Sequence, residues 1–191
     1  MLVRSLVYAL ALLLFTACGS NLPRELTRRA ESGDTHYSAP VGGVVGSQEE
    51  RFFNEFLRRR DEIRSIEVAV SQQRNFRVIQ CIRIRVDRRR GEDEIITIGN
   101  PAGADFQREF RPRGRAELVG ISGRSGWYID AIRFHFSDGD VTPMYGGEGG
   151  DTSFDLRLAE AYNGRYKGRV IGLYGTAGSF VESLGLIFEA E

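Results

Sequence analysis

The sequence predicts an all-β domain built from three units of about 50 residues each. Apolar and polar residues alternate in several short segments, including residues 65–70, 82–86 and 132–136, which is the period of a half-buried strand. Twenty-three glycines accompany only five prolines, a composition typical of all-β folds with many tight turns. The 191 residues, 41% of them hydrophobic, suffice for one ordinary domain with a short appendage.

The charge balance argues against a nucleic-acid partner. Lys+Arg and Asp+Glu both number 26, so the formal net charge is zero, whereas nucleic-acid-binding proteins usually carry a basic surplus. No spacing of His, Cys, Asp or Glu resembles a metal site, and we expect neither a metal nor a cofactor.

The N-terminal segment predicts an export signal over residues 1–17. Arg4 precedes an unbroken apolar run from Leu6 to Phe15, and ten helical residues span about 15 Å, half of a bilayer core. The small residues before Cys18 resemble the lipobox of bacterial lipoproteins, which implies a lipidated Cys18 and a membrane anchor. The alternative is an ordinary secretory signal followed by a chance cysteine.

The same resemblance implies a bacterial cell-envelope location. Gly19 stands where inner-membrane retention requires aspartate, so the outer membrane is favoured. Residues 18–39 are polar and predict a flexible tether that includes an exposed His36, with the folded domain over residues 40–191.

Two segments of the domain match without gaps at an offset of 52 residues. Gly120–Phe136 aligns with Gly172–Phe188, and three glycines and the final phenylalanine are identical. Asp130 meets Glu182 in this alignment, and the weaker third copy places Gln80 at the same position. Three such copies predict a fold with threefold pseudosymmetry.

Other local patterns give further expectations. Asp138-Gly139 predicts a tight turn. Residues 88–94 predict an exposed hairpin tip with balanced charges, the alternative being a patch for an anionic ligand. Only Glu49–Ile63 has a pattern compatible with a helix. Cys81 lies within an alternating strand pattern and is predicted to be a packed strand residue rather than a nucleophile.

Three repeats, glycine-rich loops and the pattern Gly-x-x-x-Asp before a strand resemble the jacalin-related lectins of mannose-binding type. The resemblance covers residues 40–191. It implies a β-prism of three four-stranded Greek-key sheets and non-catalytic binding of mannose- or glucose-type glycans.

The middle unit keeps both family motifs. Gly126 to Asp130 has the full Gly-x-x-x-Asp pattern, and Gly146 to Gly150 has the full Gly-Gly-x-Gly-Gly pattern. The resemblance therefore implies a carbohydrate site formed by Gly126, Trp127, Tyr128, Asp130, Gly146, Gly147 and Gly150.

These residue types suit sugar recognition. Asp130 can accept hydrogen bonds from two hydroxyls, and charged acceptors form the stronger bonds. The backbone N–H groups of Trp127, Tyr128 and Gly150 would donate to sugar oxygens, and an aromatic ring would cover the sugar's C–H face. The alternative is that the glycines serve only turns and Asp130 only accepts backbone N–H groups.

The resemblance implies a second possible site where the ends of the chain meet. Its residues would be Gly43, Gly46, Gly178, Ser179, Phe180 and Glu182. It departs from the family pattern, because Val45 replaces a glycine and Glu182 replaces the aspartate. The extra methylene of Glu182 is expected to push its carboxylate outward.

Two non-catalytic alternatives remain beside the lectin, and an enzyme has the least support. The first is a tethered protein-interaction module that keeps the prism without binding sugar, and the second is an envelope lipoprotein bound to peptidoglycan. We expect no Ser-His-Asp grouping, since the only histidines are His36 and His135. The sequence leaves the oligomeric state open.

Overall fold

The computed structural model of the chain describes residues 35–43, 50–58, 61–88, 91–158 and 168–189. These residues form twelve strands and no helix. The strands are β1 Thr35–Tyr37, β2 Val41–Gly42, β3 Glu50–Glu55, β4 Glu62–Gln73, β5 Phe76–Asp87, β6 Glu94–Gly99, β7 Leu118–Ser125, β8 Ile129–Phe136, β9 Tyr145–Gly146, β10 Thr152–Arg157, β11 Arg169–Ala177 and β12 Val181–Glu189.

The strands form three antiparallel sheets, each around a central hairpin. Sheet 1 has the order β4-β5-β6, sheet 2 has the order β10-β7-β8-β9, and sheet 3 has the order β1-β12-β11-β3 with β2 also on β12. The hairpins β4–β5, β7–β8 and β11–β12 contain the segments that the sequence repeat aligned. The fold therefore repeats the same sheet three times.

Each sheet has four strand positions once its edges are considered. In sheet 1 the segment 106–110 runs along β4, with the Ile66 and Phe110 backbones donating to one another at 2.9 Å in both directions. In sheet 3, β1 and β2 pair with successive parts of β12 and form one interrupted edge. The predicted β-prism of three four-stranded sheets is confirmed.

The sheets have Greek-key topology, and sheet 3 closes the prism by joining strands from both ends of the domain. In sheet 2 the fourth strand lies beside the first, giving the spatial order 4-1-2-3. Sheet 3 has the same order, but its outer strands come from the N-terminal part of the domain and its hairpin from the C-terminal part. The two ends of the folded domain therefore meet in one sheet.

A repeated backbone contact demonstrates the pseudosymmetry at atomic level. Gly42, Gly99 and Gly146 end equivalent outer strands with φ of 100°, 88° and 109°. The next residue donates its N–H to a carbonyl of the hairpin: Gly43 to Glu182 (3.2 Å), Asn100 to Gln80 (3.3 Å) and Gly147 to Asp130 (3.0 Å). Those three carbonyl residues are the ones that the sequence alignment equated.

One hydrophobic core joins the inner faces of the sheets. Ile132, Phe134 and Phe136 of β8 are at most 1% exposed, while Arg133 and His135 between them are half-buried, which confirms the predicted alternation. Cys81 is fully buried, and desolvation raises the pKa of its thiol to about 11. It is a packed strand residue, as predicted.

The predicted local features of two loops are also present. Gly139 has φ of 86° and donates its N–H to the Phe136 carbonyl at 3.1 Å, which forms the expected turn. The charged tip after β5 contains an ion pair between Arg88 and Glu94, and Arg88 also binds Asp61. The Arg88 charge is therefore neutralised by carboxylates of the tip and of the segment before β4, whereas Arg89 and Arg90 lie outside the described residues.

The helix predicted over Glu49–Ile63 is wrong. Residues 50–55 form β3 and pair with β11, from Glu50 opposite Ala177 to Glu55 opposite Gly172. Without this segment, β11 would expose a row of unpaired backbone groups, so sheet closure overrides the weak helical pattern.

The folded domain begins earlier than the predicted boundary at residue 40. Thr35–Tyr37 pairs with the end of β12, and the His36 ring stacks on Phe188 with centroids 5.5 Å apart. The predicted signal segment and Cys18 lie outside the described residues. Among the described residues, no helix has the length and hydropathy needed to cross a bilayer.

The repeated glycine contact predicts an unequal response to two alanine substitutions. Gly99→Ala places a methyl group against the Gln80 carbonyl, whereas Gly139→Ala has a similar φ of 86° and meets nothing within 4 Å. We expect Gly139→Ala to cost about 1–2 kcal/mol from positive φ alone. Gly99→Ala should cost about 1–3 kcal/mol more because of the collision.

The measurement is the free energy of unfolding in urea for both variants and the wild type. Equal losses in the two variants would contradict the close approach at Gly99.

Candidate functional site

A cleft of about 580 Å³ opens between two hairpin turns and one glycine-rich loop. The β7–β8 turn contributes residues 126–128, and the β9–β10 loop contributes residues 148–151. The third wall is the β4–β5 turn of the neighbouring sheet, through Gln73, Arg74 and Phe76. Asp130 lies among these walls, so the cleft is formed around the predicted middle site.

The β7–β8 turn is tight and directs an aromatic side chain into solvent. The Gly126 N–H donates to the Tyr128 carbonyl at 3.0 Å. Trp127, at the apex, is 76% exposed. The Tyr128 ring meets Phe180 edge to face with centroids 5.3 Å apart, which supports the turn from the adjacent sheet.

The glycine loop approaches the Asp130 carboxylate too closely for side chains. A Cβ built on Gly150 would lie 2.7 Å from Oδ2, and one on Gly149 would collide with Oδ1. Gly150 also has φ of 76°, in the left-handed region. Both conditions require glycine, so the Gly-Gly-x-Gly-Gly motif brings the main chain onto the carboxylate.

Asp130 is a desolvated acceptor. The residue is only 6% exposed, and desolvation raises the pKa of its carboxyl group. The Gly126 N–H and the Arg124 guanidinium oppose that rise, while the Asp151 charge adds to it. The carboxylate thus has a backbone N–H and a guanidinium near it and little water around it.

Arg124 holds the glycine loop and was missed by sequence reasoning. Its Nε donates to the Gly149 carbonyl at 3.0 Å and its Nη2 to the Gly150 carbonyl at 2.7 Å. The aligned residue in the third repeat is Thr176, which instead bonds Ser183. The difference between Arg124 and Thr176 was the feature of the sequence that could have pointed to this role.

The structure brings together most of the predicted site, with two residues in a supporting position. Gly126, Trp127, Tyr128, Asp130 and Gly150 line the cleft. Gly146 and Gly147 begin the loop, with Gly146 against the Asp130 carbonyl and Gly147 against the Arg77 backbone. Phe76 and its turn were missed, since only packing between sheets places them here.

Comparisons with known proteins identify the family. The Jacalin-like lectin domain model matches residues 25–135, more than half of the chain. The chain belongs to this family. Its fold resembles the wild-type Malaysian banana lectin (TM-score 0.60, 19% identity, 82% of this chain and 99% of that one). It also resembles Calystegia sepium agglutinin (TM-score 0.59, 20% identity, 83% and 98%).

Two further solved structures contain glycans. The lectin domain resembles the Calsepa lectin in complex with a biantennary N-glycan (TM-score 0.61, 21% identity, 83% of this chain and 97% of that one). It resembles artocarpin in complex with mannotriose at a TM-score of 0.59 (18% identity, 81% and 97%). At these identities the likeness shows the shared fold.

One curated relative is much longer than the chain. A Schizosaccharomyces pombe protein whose name describes a zinc metalloproteinase is 27% identical over 97 residues, which are 51% of this chain and 14% of that protein. The match thus reaches a small part of that relative. In the described part of the lectin domain, no three His, Cys, Asp or Glu residues are grouped as metal ligands.

The second predicted site of the lectin domain is also brought together. The Gly178 N–H donates to the Phe180 carbonyl at 2.9 Å and lies 3.2 Å from Glu182 Oε1, which repeats the arrangement of Gly126 and Asp130. Gly43 packs against the Trp127 backbone, and Ser179 is exposed at the turn. Gly46 lies outside the described residues.

The expectation that the Glu182 carboxylate is pushed outward is wrong. Glu182 is 2% exposed, and its Oε1 still accepts the Gly178 N–H. The longer side chain is accommodated inside the turn, because the backbone around it keeps the conformation of the middle repeat. The carboxylate therefore faces the protein.

One serine of the domain lies within hydrogen-bond distance of a histidine, while the nearby aspartate is bound by an arginine. Ser122 Oγ lies 2.7 Å from His135 Nε2, and Asp155 is opposite Ser122 on β10. The Asp155 carboxylate is bound by both Nε (2.7 Å) and Nη2 (2.5 Å) of Arg157. Desolvation and the Arg157 charge lower the pKa of His135. Ser122, His135 and Asp155 do not line the cleft. They lie on the face of sheet 2 opposite to the buried Ile121 and Phe134.

The raised pKa of Asp130 predicts a pH-dependent stability difference. A carboxyl group with a raised native pKa stabilises the fold below its unfolded pKa, and that contribution is lost as the pH rises through the native value. As the pH rises from about 4 to 7, the stability of Asp130→Asn relative to the wild type should therefore increase.

Asp155→Asn is the control with the opposite sign, because the Arg157 hydrogen bond lowers the pKa of Asp155. Its stability relative to the wild type should fall as the pH rises to about 4, because Asp155 ionises at a lower pH in the native state than in the unfolded chain, and should stay level from about pH 5 to pH 7. Urea unfolding at several pH values measures both differences. A falling relative stability of Asp130→Asn would contradict the desolvation of Asp130.

Proposed function

We propose that this lectin domain binds mannose- or glucose-type glycans without catalysis, in the cleft at Asp130. The observation that carries the proposal is a desolvated carboxylate enclosed by a glycine loop, beside an exposed tryptophan. The solved relatives in complex with mannotriose and a biantennary N-glycan support this choice of ligand class.

The geometry provides the groups that a sugar needs. The Asp130 carboxylate accepts hydroxyl donors, and the backbone of residues 127–128 and 150 supplies donors at the cleft wall. The exposed Trp127 ring offers an apolar face for the sugar's C–H groups. All of these groups act by binding alone.

The affinity for one sugar should be weak. Four or five hydrogen bonds contribute about 0.5–1.5 kcal/mol each, net of the bonds to water that they replace. A Kd near the millimolar level follows for a monosaccharide. Many copies on one surface would raise the avidity by the effective-concentration effect.

The alternative is a protein-interaction module with the same prism and no sugar binding. In that case the glycines would serve the turn and Asp130 would serve only the Gly126 N–H. Asparagine offers a carbonyl acceptor of similar size, so this role would not need a charge. Glycan binding that depends on the Asp130 charge supports the lectin function, and its absence from a folded protein supports the interaction module.

The deciding experiment is a glycan array with the wild type and two variants. We expect signals on mannose- or glucose-type glycans that disappear in Asp130→Asn, because a charged double acceptor is lost. The matched variant Glu182→Gln changes the equivalent, inward-facing carboxylate and should leave binding within about twofold.

The other outcomes each change the proposal. Binding that survives Asp130→Asn and is lost in Glu182→Gln would move the site to Gly43 and Gly178–Glu182. Silence from a protein with normal circular dichroism and a cooperative unfolding transition would favour the interaction module.

We also propose a lipid anchor at Cys18 and a place in the bacterial cell envelope, with the outer membrane favoured. The support is the apolar run of residues 6–15 followed by small residues before the cysteine. Tethering would supply the multivalency that a weak site needs.

Cys18→Ser tests the anchor in cells. The wild type should incorporate labelled palmitate and sediment with membranes, while the variant should lose the label and be released from the membrane fraction. Cys81→Ser is the control, because Cys81 is fully buried and should not affect labelling. Equal labelling of the wild type and Cys18→Ser would exclude the anchor.

A further inference from the structure

We propose that the outer face of sheet 2 binds a singly charged oxyanion, a carboxylate or phosphodiester group, at Arg133. The proposal goes beyond the glycan site and does not rest on it, because none of the residues involved lines the cleft at Asp130. They come from three neighbouring strands of one sheet: Ser122 of β7, Arg133 and His135 of β8, and Arg157 of β10.

Arg133 has a hydrogen-bond donor that the fold does not use. Its Nε is buried and has no acceptor among the described residues. None of the ion pairs found in that part of the chain includes its guanidinium. Buried donors in folded proteins nearly always have a partner, because leaving one without is costly. An acceptor from solution would satisfy this N–H, and the positive charge favours an anion.

The equivalent positions in the other two sheets are used within the fold. Arg83 aligns with Arg133 in the sequence repeat, and its guanidinium carbon lies 3.9 Å from the centroid of the Phe106 ring. Arg83 also stands opposite Glu67 in the strand register, so sheet 1 supplies a carboxylate beside it. The third position is Gly185. The two arginines thus differ, and the one in sheet 2 is left for a ligand.

Ser122 adds a hydroxyl donor beside Arg133. The two residues are opposite one another in the β7–β8 register, which places both side chains on the outer face. Ser122 Oγ also lies 2.7 Å from Nε2 of His135, two residues after Arg133 on the same face. When Nε2 carries a proton it donates to Oγ, and the hydroxyl can then donate to an anion.

Gly120 allows a second guanidinium to approach the same place. It lies opposite His135 on one side and opposite Arg157 on the other. A Cβ built on Gly120 would lie 2.5 Å from Arg157 Cγ, so the Arg157 side chain occupies the space where another side chain would stand. The outer face therefore has arginines on both sides of the pair formed by Ser122 and His135.

The charge balance favours a ligand with one negative charge. The Asp155 carboxylate accepts hydrogen bonds from Nε (2.7 Å) and Nη2 (2.5 Å) of Arg157, so these two charges largely cancel. The Arg133 charge has no such partner in the described part of the chain. A dianion would gain little more from this one uncompensated charge and would be repelled more strongly by Asp155.

The experiment follows the ring signals of both histidines by NMR while small anions are added to the intact protein. The probes are acetate and dimethyl phosphate, with acetamide as the uncharged molecule of acetate's shape and sodium chloride to hold the ionic strength constant. We expect the His135 signals to shift and saturate at about tens of millimolar of at least one anion, and not with acetamide. His36, stacked on Phe188 in sheet 3, is the internal control and should not respond.

The pKa of His135 gives a second readout, which an Arg133 with a purely structural role would not move. The groups that face its ring are Arg157 and Asp155 of β10, Arg133 of β8, Ser122 of β7 and Val141 of the following loop. Desolvation and the two guanidinium groups lower the pKa of His135, whereas Asp155 raises it. A bound anion would offset the repulsion by the guanidinium groups, so this pKa should rise at saturating acetate or dimethyl phosphate. By linkage, the anion should bind more tightly as the pH falls through that pKa.

The variants assign the binding to Arg133. Arg133→Gln should abolish the saturable shift, and Arg133→Lys should weaken binding about tenfold, because it keeps the charge but loses the planar pair of donors. Arg83→Gln removes the aligned arginine of sheet 1 and should leave the affinity within about twofold. A cooperative unfolding transition in each variant shows that the fold is retained.

Three results would overturn the proposal. They are ring signals of His135 that never saturate with either anion, a response to acetamide equal to that of acetate, and saturable binding that survives in Arg133→Gln. Each of them would leave the glycan proposal standing, since none of the probes is a sugar.

Discussion

Each sheet of the prism depends on one backbone contact, in which a glycine with positive φ lies directly against a carbonyl of the central hairpin. In sheet 2 this is Gly146 against Asp130, and the next N–H, of Gly147, donates to that carbonyl. A side chain at Gly146 would collide with the carbonyl, so the contact fixes where the β9–β10 loop begins. The loop then passes over the Asp130 carboxylate, and the candidate site follows from how the sheet is closed.

The same contact leads to three different surroundings for the side chain of the hairpin residue. In sheet 1 the Gln80 amide donates to the Asn100 and Ala102 carbonyls at 3.2 and 3.1 Å, which fastens the adjoining loop. In sheet 3 the Glu182 carboxylate is buried in its own turn. In sheet 2 Asp130 lies in a cleft lining. Threefold geometry therefore supplies three equivalent positions, and the residue at each one decides whether an acceptor lines a cleft or is used within the fold.

Much of the fold was predictable because its signals are local. The offset of 52 residues between Gly120–Phe136 and Gly172–Phe188 follows from the repeated hairpin, and the alternation around Phe134 follows from one buried face. The failures at residues 50–55 and 35–37 share one cause, since both segments become strands only by pairing with β11 or β12 at the other end of the chain. Long-range pairing leaves a weak pattern in a short edge strand.

The site also has a part that was predictable from local motifs and a part that was not. The residues from Gly126 to Asp130 and the glycine loop belong to one repeat, and their motifs were recognisable. Phe76 arrives from another sheet, and no spacing in the sequence connects it to Asp130. Arg124 lay within the aligned segment, but its role depends on carbonyls 25 and 26 residues away. Packing between sheets, rather than any local pattern, completes the cleft.

The electrostatics of Asp130 bear on why the position holds a carboxylate at all. Desolvation raises the pKa of this group, so the folded chain holds its charged form at a cost in stability. An asparagine would accept the Gly126 N–H without that cost. Arg124 and the Gly126 N–H reduce the cost but do not remove it, since the net shift is still upward. If Asp130 served only its own turn, the amide would avoid this desolvation cost, and the retained charge therefore supports the proposal of a ligand that donates hydroxyl groups.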